Sequence, residues 1–234
     1  TVTVVYGAME AKDGALRTVK TGGHSTALLE IPNKQSFVFE ADFVNHQGGG
    51  GIFFGGTVGR IKQSTEEEDK TNGYYAFIGQ DGLTGALGCT SPVSKWNGNI
   101  TASKNGERFS IGQDLHLYLR VSGDYIIYTV SDCASGEELY RAEYKKGDSR
   151  FDGSPFESGT LALRINNDGG KGGFTNLKLY NANATTALES LRDGAAGYSG
   201  IMANFHPELW VWLCEHYNGY PDPSQMAPET VESL

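Results

Sequence analysis

Apolar and polar side chains alternate strictly along residues 37–44. Phenylalanine or alanine occupies each odd position, and the even positions include Glu40 and Asp42. Because successive side chains of a β-strand point to opposite faces, this period of two predicts a half-buried strand. One face of the strand is then apolar, and the other carries two carboxylates side by side. Such a polar face is either solvated surface or the floor of a polar ligand site.

Short runs that favour β-strands recur from residue 1 to about residue 180, separated by turn signals. Asp81-Gly82 and Ser122-Gly123-Asp124 are typical of tight hairpin connections, in which glycine takes a positive φ angle. Regularly spaced strands joined by such turns predict an all-β fold, a two-sheet antiparallel β-sandwich or jelly roll. The predicted strands are residues 2–6, 15–20, 26–31, 37–44, 51–55, 74–80, 85–90, 99–103, 115–121, 125–131, 138–144, 159–165 and 174–180.

The pattern changes to a helical one after residue 180. Residues 186–189 form a capping box, which predicts the start of a helix, and Gly194 is placed to end it. A second helix is predicted to begin at Pro207. Because it is apolar on all sides, with Trp210 and Trp212 on opposite faces, it is expected to be buried. We therefore predict a jelly roll over residues 1–180 and a short helical tail over residues 181–234, an adaptor that packs on the sandwich or on a neighbouring domain.

Charge and composition exclude several classes of partner. The net charge is −9, whereas nucleic acids and anionic membranes are bound by basic patches, so neither partner is expected. No apolar run is long enough to insert in a bilayer. Cys89, Cys133 and Cys214 are too scattered for a disulfide framework or a zinc site. The acidic run at residues 66–69 predicts a solvated loop, with cation binding as the alternative.

Glu40 and Asp42 are the first candidates for chemistry. A retaining glycosidase needs two carboxyl groups about 5–5.5 Å apart, whereas same-face neighbours on a strand lie about 6.5–7 Å apart. Laminarinase-type jelly rolls carry a Glu-x-Asp-x-x-Glu strand, and Asn45 stands here in place of the last carboxylate. The histidines show no spacing typical of a zinc site or a catalytic triad. We therefore predict no catalytic residue and expect Glu40 and Asp42 to bind a ligand.

Two further groups of residues are candidates for ligand binding. The glycine-rich loop that contains Asn166, Asn167 and Asp168 offers amide and carboxylate groups for sugar hydroxyls, although these residue types are also common in turns. Tyr75 and Trp96 are candidate stacking faces for a sugar ring, and simple packing is the alternative.

Several segments between residues 25 and 180 together resemble the concanavalin A-like jelly rolls. They are FVFEADFV, GGGGIFFGG, NGYYAFIGQDG, DLHLYLRVSGDYIIYTVSD and FESGTLALRINNDGGKGGFTNLKLY. Among these jelly rolls, the chain is most similar to the carbohydrate-binding modules found beside fructan-degrading enzymes and to the 3-keto-disaccharide hydrolase-type domain. The resemblance implies a calcium-tolerant sandwich that binds a saccharide. It matches Glu40 and Asp42 to the acidic strand and residues 166–168 to the ligand-proximal loop, and Ca²⁺ is the one cofactor it allows.

These observations predict a non-catalytic carbohydrate-binding module of a larger bacterial enzyme that degrades polysaccharides and is secreted or held at the cell surface. The expected partners are an oligo- or polysaccharide, bound at a chain end in many such modules, and the catalytic domain of the same chain. The opening strand-like segment without a signal peptide suggests a mature or excised part of that protein. Two alternatives stay open: a hydrolase of the 3-keto-disaccharide type with Glu40 or Asp42 as general base, and a structural spacer.

Overall fold

The computed structural model describes residues 2–19, 23–29, 36–57, 72–79, 81–90, 109–122, 125–145, 160–166, 169–181, 187–192, 194–198 and 207–216. These residues form fourteen strands and two short helices. The strands are β1 Val2–Tyr6, β2 Met9–Lys12, β3 Ala15–Thr18, β4 His24–Leu29, β5 Phe37–Val44, β6 Gly50–Thr57, β7 Asn72–Ile78, β8 Gly85–Thr90, β9 Leu115–Val121, β10 Tyr125–Asp132, β11 Glu138–Lys145, β12 Thr160–Asn166, β13 Gly173–Asn181 and β14 Gly197–Tyr198. The helices are α1 Ala187–Arg192 and α2 Pro207–His216.

The described strands form two sheets that pack face to face. The six-stranded sheet has the order β1-β4-β12-β6-β7-β8. The eight-stranded sheet has the order β11-β10-β9-β5-β13-β3-β2, and the short β14 pairs in parallel with the end of β13. All other strand pairs are antiparallel. The predicted two-sheet antiparallel sandwich is therefore confirmed.

The main core lies between the two sheets, where the apolar faces of the strands meet. The leucines of β9 are fully buried, whereas His116 and Tyr118 between them are partly exposed. Phe43 of β5 stacks on Phe174 of β13, with ring centroids 4.6 Å apart. Each such buried side chain contributes about 1.5–3 kcal/mol relative to an exposed one. The alternation seen along residues 37–44 is thus the alternation between core and outward face.

The outward face of the six-stranded sheet is also buried. Phe53 and Phe77 pack edge to face with ring centroids 4.8 Å apart, and Tyr75 lies 5.3 Å from Phe77. Arg164 of β12, which alternates with inward-facing residues and so shares this face, is 1 % exposed. Strands β6 and β7 are therefore covered on both faces, as continuous apolar runs such as YYAFI indicate.

Both predicted helices are present, and the second one exposes large apolar side chains. Gly194 follows α1 with a φ of 97°, and α2 begins at Pro207. Val211 and Trp212 of α2 are 56 % and 38 % exposed, so these side chains are not buried within this chain, and packing of the helix on a neighbouring domain stays a prediction. The Trp212 ring instead stacks on His216, one turn later, at 4.9 Å.

Some predictions fall outside the described residues, namely the strand at residues 99–103 and the acidic run at residues 66–69. The boundary at residue 180 stays a prediction. Beyond it, β14 joins the eight-stranded sheet through Gly197 and Tyr198. Neither described helix is long and apolar enough to cross a membrane.

Candidate functional site

The structure divides the predicted ligand-binding residues between two opposite faces of the sandwich. Glu40 and Asp42 lie on the outward face of the eight-stranded sheet, since they alternate with the core residues of β5. Tyr75 and Asn166 lie on the outward face of the six-stranded sheet. Three further predicted residues lie outside the described part of the chain: Trp96, Asn167 and Asp168. The described candidates therefore do not form a single site.

Tyr75 does not offer an open stacking face. Its side chain is 2 % exposed, and its ring lies across Gly88 of β8, where an added Cβ would stand 2.3 Å from the phenolic oxygen. The prediction that Tyr75 is a sugar platform is therefore wrong in this structure. Asn166 is 5 % exposed on the same covered face, and its Oδ1 accepts a hydrogen bond of 2.6 Å from Nε of Arg164.

The carboxylate of Asp42 is held by side chains from both neighbouring strands. Its Oδ1 lies 2.7 Å from Nδ1 of His116 on β9, and its Oδ2 accepts a hydrogen bond of 2.5 Å from Nδ2 of Asn176 on β13. Asn176 has a φ of 52° and lies in a bulge, where the pairing with β5 shifts register. Asparagine tolerates this left-handed conformation, and the bulge allows its amide to reach Asp42.

Glu40 has different surroundings, although it lies on the same face two residues earlier. Its partner positions are Tyr118 on β9 and Lys178 on β13. Within the described part of the chain, the Glu40 carboxylate makes no hydrogen bond or ion pair. Tyr118 is partly exposed and Lys178 is exposed. An acceptor, an aromatic ring and a cationic donor therefore lie side by side. We call Glu40, Asp42, His116, Tyr118 and Lys178 the polar face.

Cys133 lies near one end of the polar face. Partial burial, the charges of Asp42, Asp114 and Asp132, and a hydrogen bond with Asp42 together raise the pKa of its thiol to about 12. Because the thiolate and not the thiol is the nucleophile, this cysteine is poorly reactive.

Asp132 organises the turn between β10 and β11. Its Oδ1 accepts hydrogen bonds from the backbone N–H groups of Ala134 and Ser135, and its Oδ2 accepts one of 2.7 Å from Nε2 of Gln113. The hydrogen bond from Gln113, followed by those from Ser135, lowers the pKa of Asp132 to about 2. The Asp132 carboxylate is therefore engaged in hydrogen bonds that hold this turn.

Among the described residues, no three His, Cys, Asp or Glu side chains are arranged to hold a metal ion, and calcium binding stays a prediction.

No sequence motif predicted a ligand-binding role for His116, Tyr118, Asn176 or Lys178. His116 and Tyr118 stand at polar positions of an alternating strand, which indicates that they face outward. Their proximity to Glu40 and Asp42 depends on the pairing of β5 with β9, strands more than seventy residues apart. Nothing in the sequence marks that pairing.

The sheet architecture is similar to that of solved lectin-like structures. The VIP36 exoplasmic/lumenal domain in its Ca²⁺/Man₃GlcNAc-bound form matches with a TM-score of 0.50 and 9 % identity, over 79 % of this chain and 85 % of that one. A legume lectin-like domain from Entamoeba histolytica matches with a TM-score of 0.48 and 12 % identity, over 78 % and 90 % of the two chains. A protein of unknown function with a galectin-like fold from Bacillus subtilis matches with a TM-score of 0.49 and 13 % identity, over 76 % and 87 %.

Sequence comparisons add no closer relationship. No protein-family model matches the chain, and no curated protein matches it. At these low identities the structural similarity shows the fold alone. The fold is a concanavalin A-like, lectin-like β-sandwich, as the sequence motifs led us to expect.

Proposed function

We propose that the chain is a carbohydrate-binding module whose site is the polar face. The observation that carries the proposal is the placement of Glu40 between Tyr118 and Lys178 on a partly exposed sheet face. A carboxylate accepts hydrogen bonds from sugar hydroxyls, an ammonium group donates them, and an aromatic ring packs against the apolar face of the sugar ring. The similarity to lectin-like folds, one of them solved with Man₃GlcNAc bound, supports the proposal.

The affinity of such a site is modest. Each net hydrogen bond contributes about 1 kcal/mol, and ordering the Lys178 side chain costs about 0.5–1.5 kcal/mol. A few hydrogen bonds and one ring contact therefore correspond to dissociation constants on the order of 0.1–1 mM. Affinity of this order suits a module that keeps a second domain near a polysaccharide.

We also propose the wider context that the sequence predicts, a secreted or cell-surface enzyme that degrades polysaccharides and carries this module beside its catalytic domain. The exposed Val211 and Trp212 of α2 support a neighbouring domain there, because adjacent large apolar side chains at a surface are typical of contact regions. Trp96, Asn167 and Asp168 remain predicted contributors to saccharide binding.

The test is an array of neutral, amino and acidic oligosaccharides, followed by calorimetric titration of the glycans that bind. We expect Glu40→Gln, which replaces a charged acceptor by a neutral one, to weaken binding about fivefold. The unfolding free energy should change by less than about 0.5 kcal/mol, as for most surface substitutions. Glu10→Gln, an exposed carboxylate on β2 of the same sheet, is the matched control and should bind as the wild type does.

Two results would contradict the proposal. One is an absence of binding by the wild type across the whole array, and the other is wild-type affinity in Glu40→Gln. Release of shorter sugars by the wild type, abolished in Glu40→Gln, would instead favour the hydrolase alternative.

A further inference from the structure

The contact between Asp42 and His116 determines which ring nitrogen of the histidine carries a proton. An ionised carboxylate only accepts hydrogen bonds, so the Nδ1 atom that lies 2.7 Å from Oδ1 of Asp42 must be the donor. In the neutral ring, Nε2 is then an acceptor without a proton. We propose that Asp42 is a positioning residue that holds His116 in the Nδ1–H tautomer, and that Nε2 of His116 accepts a hydrogen bond from a saccharide hydroxyl.

The His116 side chain lies partly at the surface. The His116 side chain is 37 % exposed, whereas that of Asp42 is 18 % exposed. Nε2 makes no hydrogen bond with the described residues. His116 pairs with Asp42, and Tyr118 pairs with Glu40. His116 and Glu40 are therefore diagonal neighbours, whose Cα atoms lie about 7–8 Å apart. Two acceptors on neighbouring positions of one sheet face suit two hydroxyl groups of one oligosaccharide.

Asn176 supports the same arrangement from the other side of Asp42. Its amide donates a hydrogen bond to Oδ2, and His116 lies at Oδ1, so the carboxylate is held from both neighbouring strands. The thiol of Cys133 also makes a hydrogen bond with Asp42. Besides Asp42, the charged groups at positions that pair with β9 are Glu40 of β5, opposite Tyr118, and Asp132 of β10, opposite Leu115. His116 itself pairs with Asp42 on one side and with the uncharged Ser131 on the other. Asp42 is thus the acceptor that orients the ring.

The positioning role of Asp42 does not require a ligand, whereas the acceptor role of His116 Nε2 rests on the proposed function. The two roles are therefore tested separately. The first test is a two-bond ¹H–¹⁵N correlation spectrum of the ligand-free protein, recorded where the ¹⁵N shifts show a neutral ring, with His116→Phe to assign the signal. We expect the Nδ1–H pattern for His116. We expect Asp42→Ala, which removes the acceptor at Nδ1, to lose that pattern, and the control Glu10→Gln, on β2 of the same sheet, to keep it. An Nε2–H pattern in the wild type, or an unchanged pattern in Asp42→Ala, would overturn the positioning role.

The second test uses the same array of neutral, amino and acidic oligosaccharides. Loss of one net hydrogen bond of about 1–1.5 kcal/mol corresponds to a loss of affinity of about five- to tenfold. We expect that loss in His116→Phe and in Asp42→Ala, and wild-type affinity in the control Glu10→Gln. Wild-type affinity in His116→Phe would overturn the acceptor role. If no glycan binds any variant, the acceptor role fails together with the proposed function, and the tautomer result stands alone.

Discussion

Replacing Gly85 by alanine tests how closely the two sheets approach each other at one edge of the sandwich. Gly85 begins β8 of the six-stranded sheet. A Cβ added there would stand 2.3 Å from Cγ and 2.5 Å from both Cδ atoms of Tyr140, on β11 of the other sheet. Ordinary contact begins at 3.4 Å, so the ring or the strand must move by about 1 Å. Tyr140 has little freedom to move, because it is 1 % exposed and packs against Tyr128 with ring centroids 5.7 Å apart.

Overfilling a packed core in this way costs about 1–3 kcal/mol. In a protein of this size, 1 kcal/mol lowers the melting temperature by about 2–4 °C. We therefore expect Gly85→Ala to melt about 2–12 °C below the wild type, with a matching loss of free energy in urea unfolding. Circular dichroism at 218 nm, where strands absorb, follows both transitions.

A double-mutant cycle with Tyr140 separates the clash from other effects of alanine. In a Tyr140→Phe background the ring remains, so the penalty of Gly85→Ala should persist. In a Tyr140→Ala background the ring is gone, and the penalty should fall by more than about 1 kcal/mol. Equal penalties in the two backgrounds, or a Gly85→Ala protein as stable as the wild type, would refute the described sheet-to-sheet contact.

Three further predictions concern the surroundings of Asp42. The thiol of Cys133, an exposed residue, has a pKa of about 12. Cys133 should therefore react with iodoacetamide at pH 8 on the order of a hundredfold more slowly than a free thiol. Asp42→Asn should speed the reaction, as followed by peptide mass spectrometry, and equal rates would contradict the assigned role of Asp42. The pKa of Asp132 falls from 3.8 to about 2 on folding, so its stabilisation is present above pH 4 and lost between pH 4 and pH 2. Between pH 4 and pH 2, the free energy of unfolding measured in urea should fall less steeply in Asp132→Asn than in the wild type. Equal slopes in the two proteins would contradict the lowered pKa of Asp132. Asn176→Ala should lose about 1 kcal/mol more stability than Asn176→Gly, because glycine takes a φ of 52° without strain and alanine does not. Equal losses would mean that the bulge is not held in this conformation.

Part of the fold follows from local signals in the sequence. Strands β5 and β9 occupy the predicted ranges because a period of two along the chain directly reports which side chains share a face. Helix α2 begins at Pro207 because proline suits the first turn of a helix. The outward position of Glu40 and Asp42 follows from the same alternation. These properties depend only on residues within a few positions of one another.

The composition of the site depends on the tertiary structure. His116, Asn176 and Lys178 meet the two carboxylates only because β9 and β13 flank β5 in the sheet, and no local pattern specifies that order. The burial of Tyr75 likewise depends on what covers the six-stranded sheet. The sequence by itself therefore determined which side chains face outward. The sheet order decided which of them meet, since strand pairing joins segments far apart in the chain and each alternative order would satisfy the same local alternation.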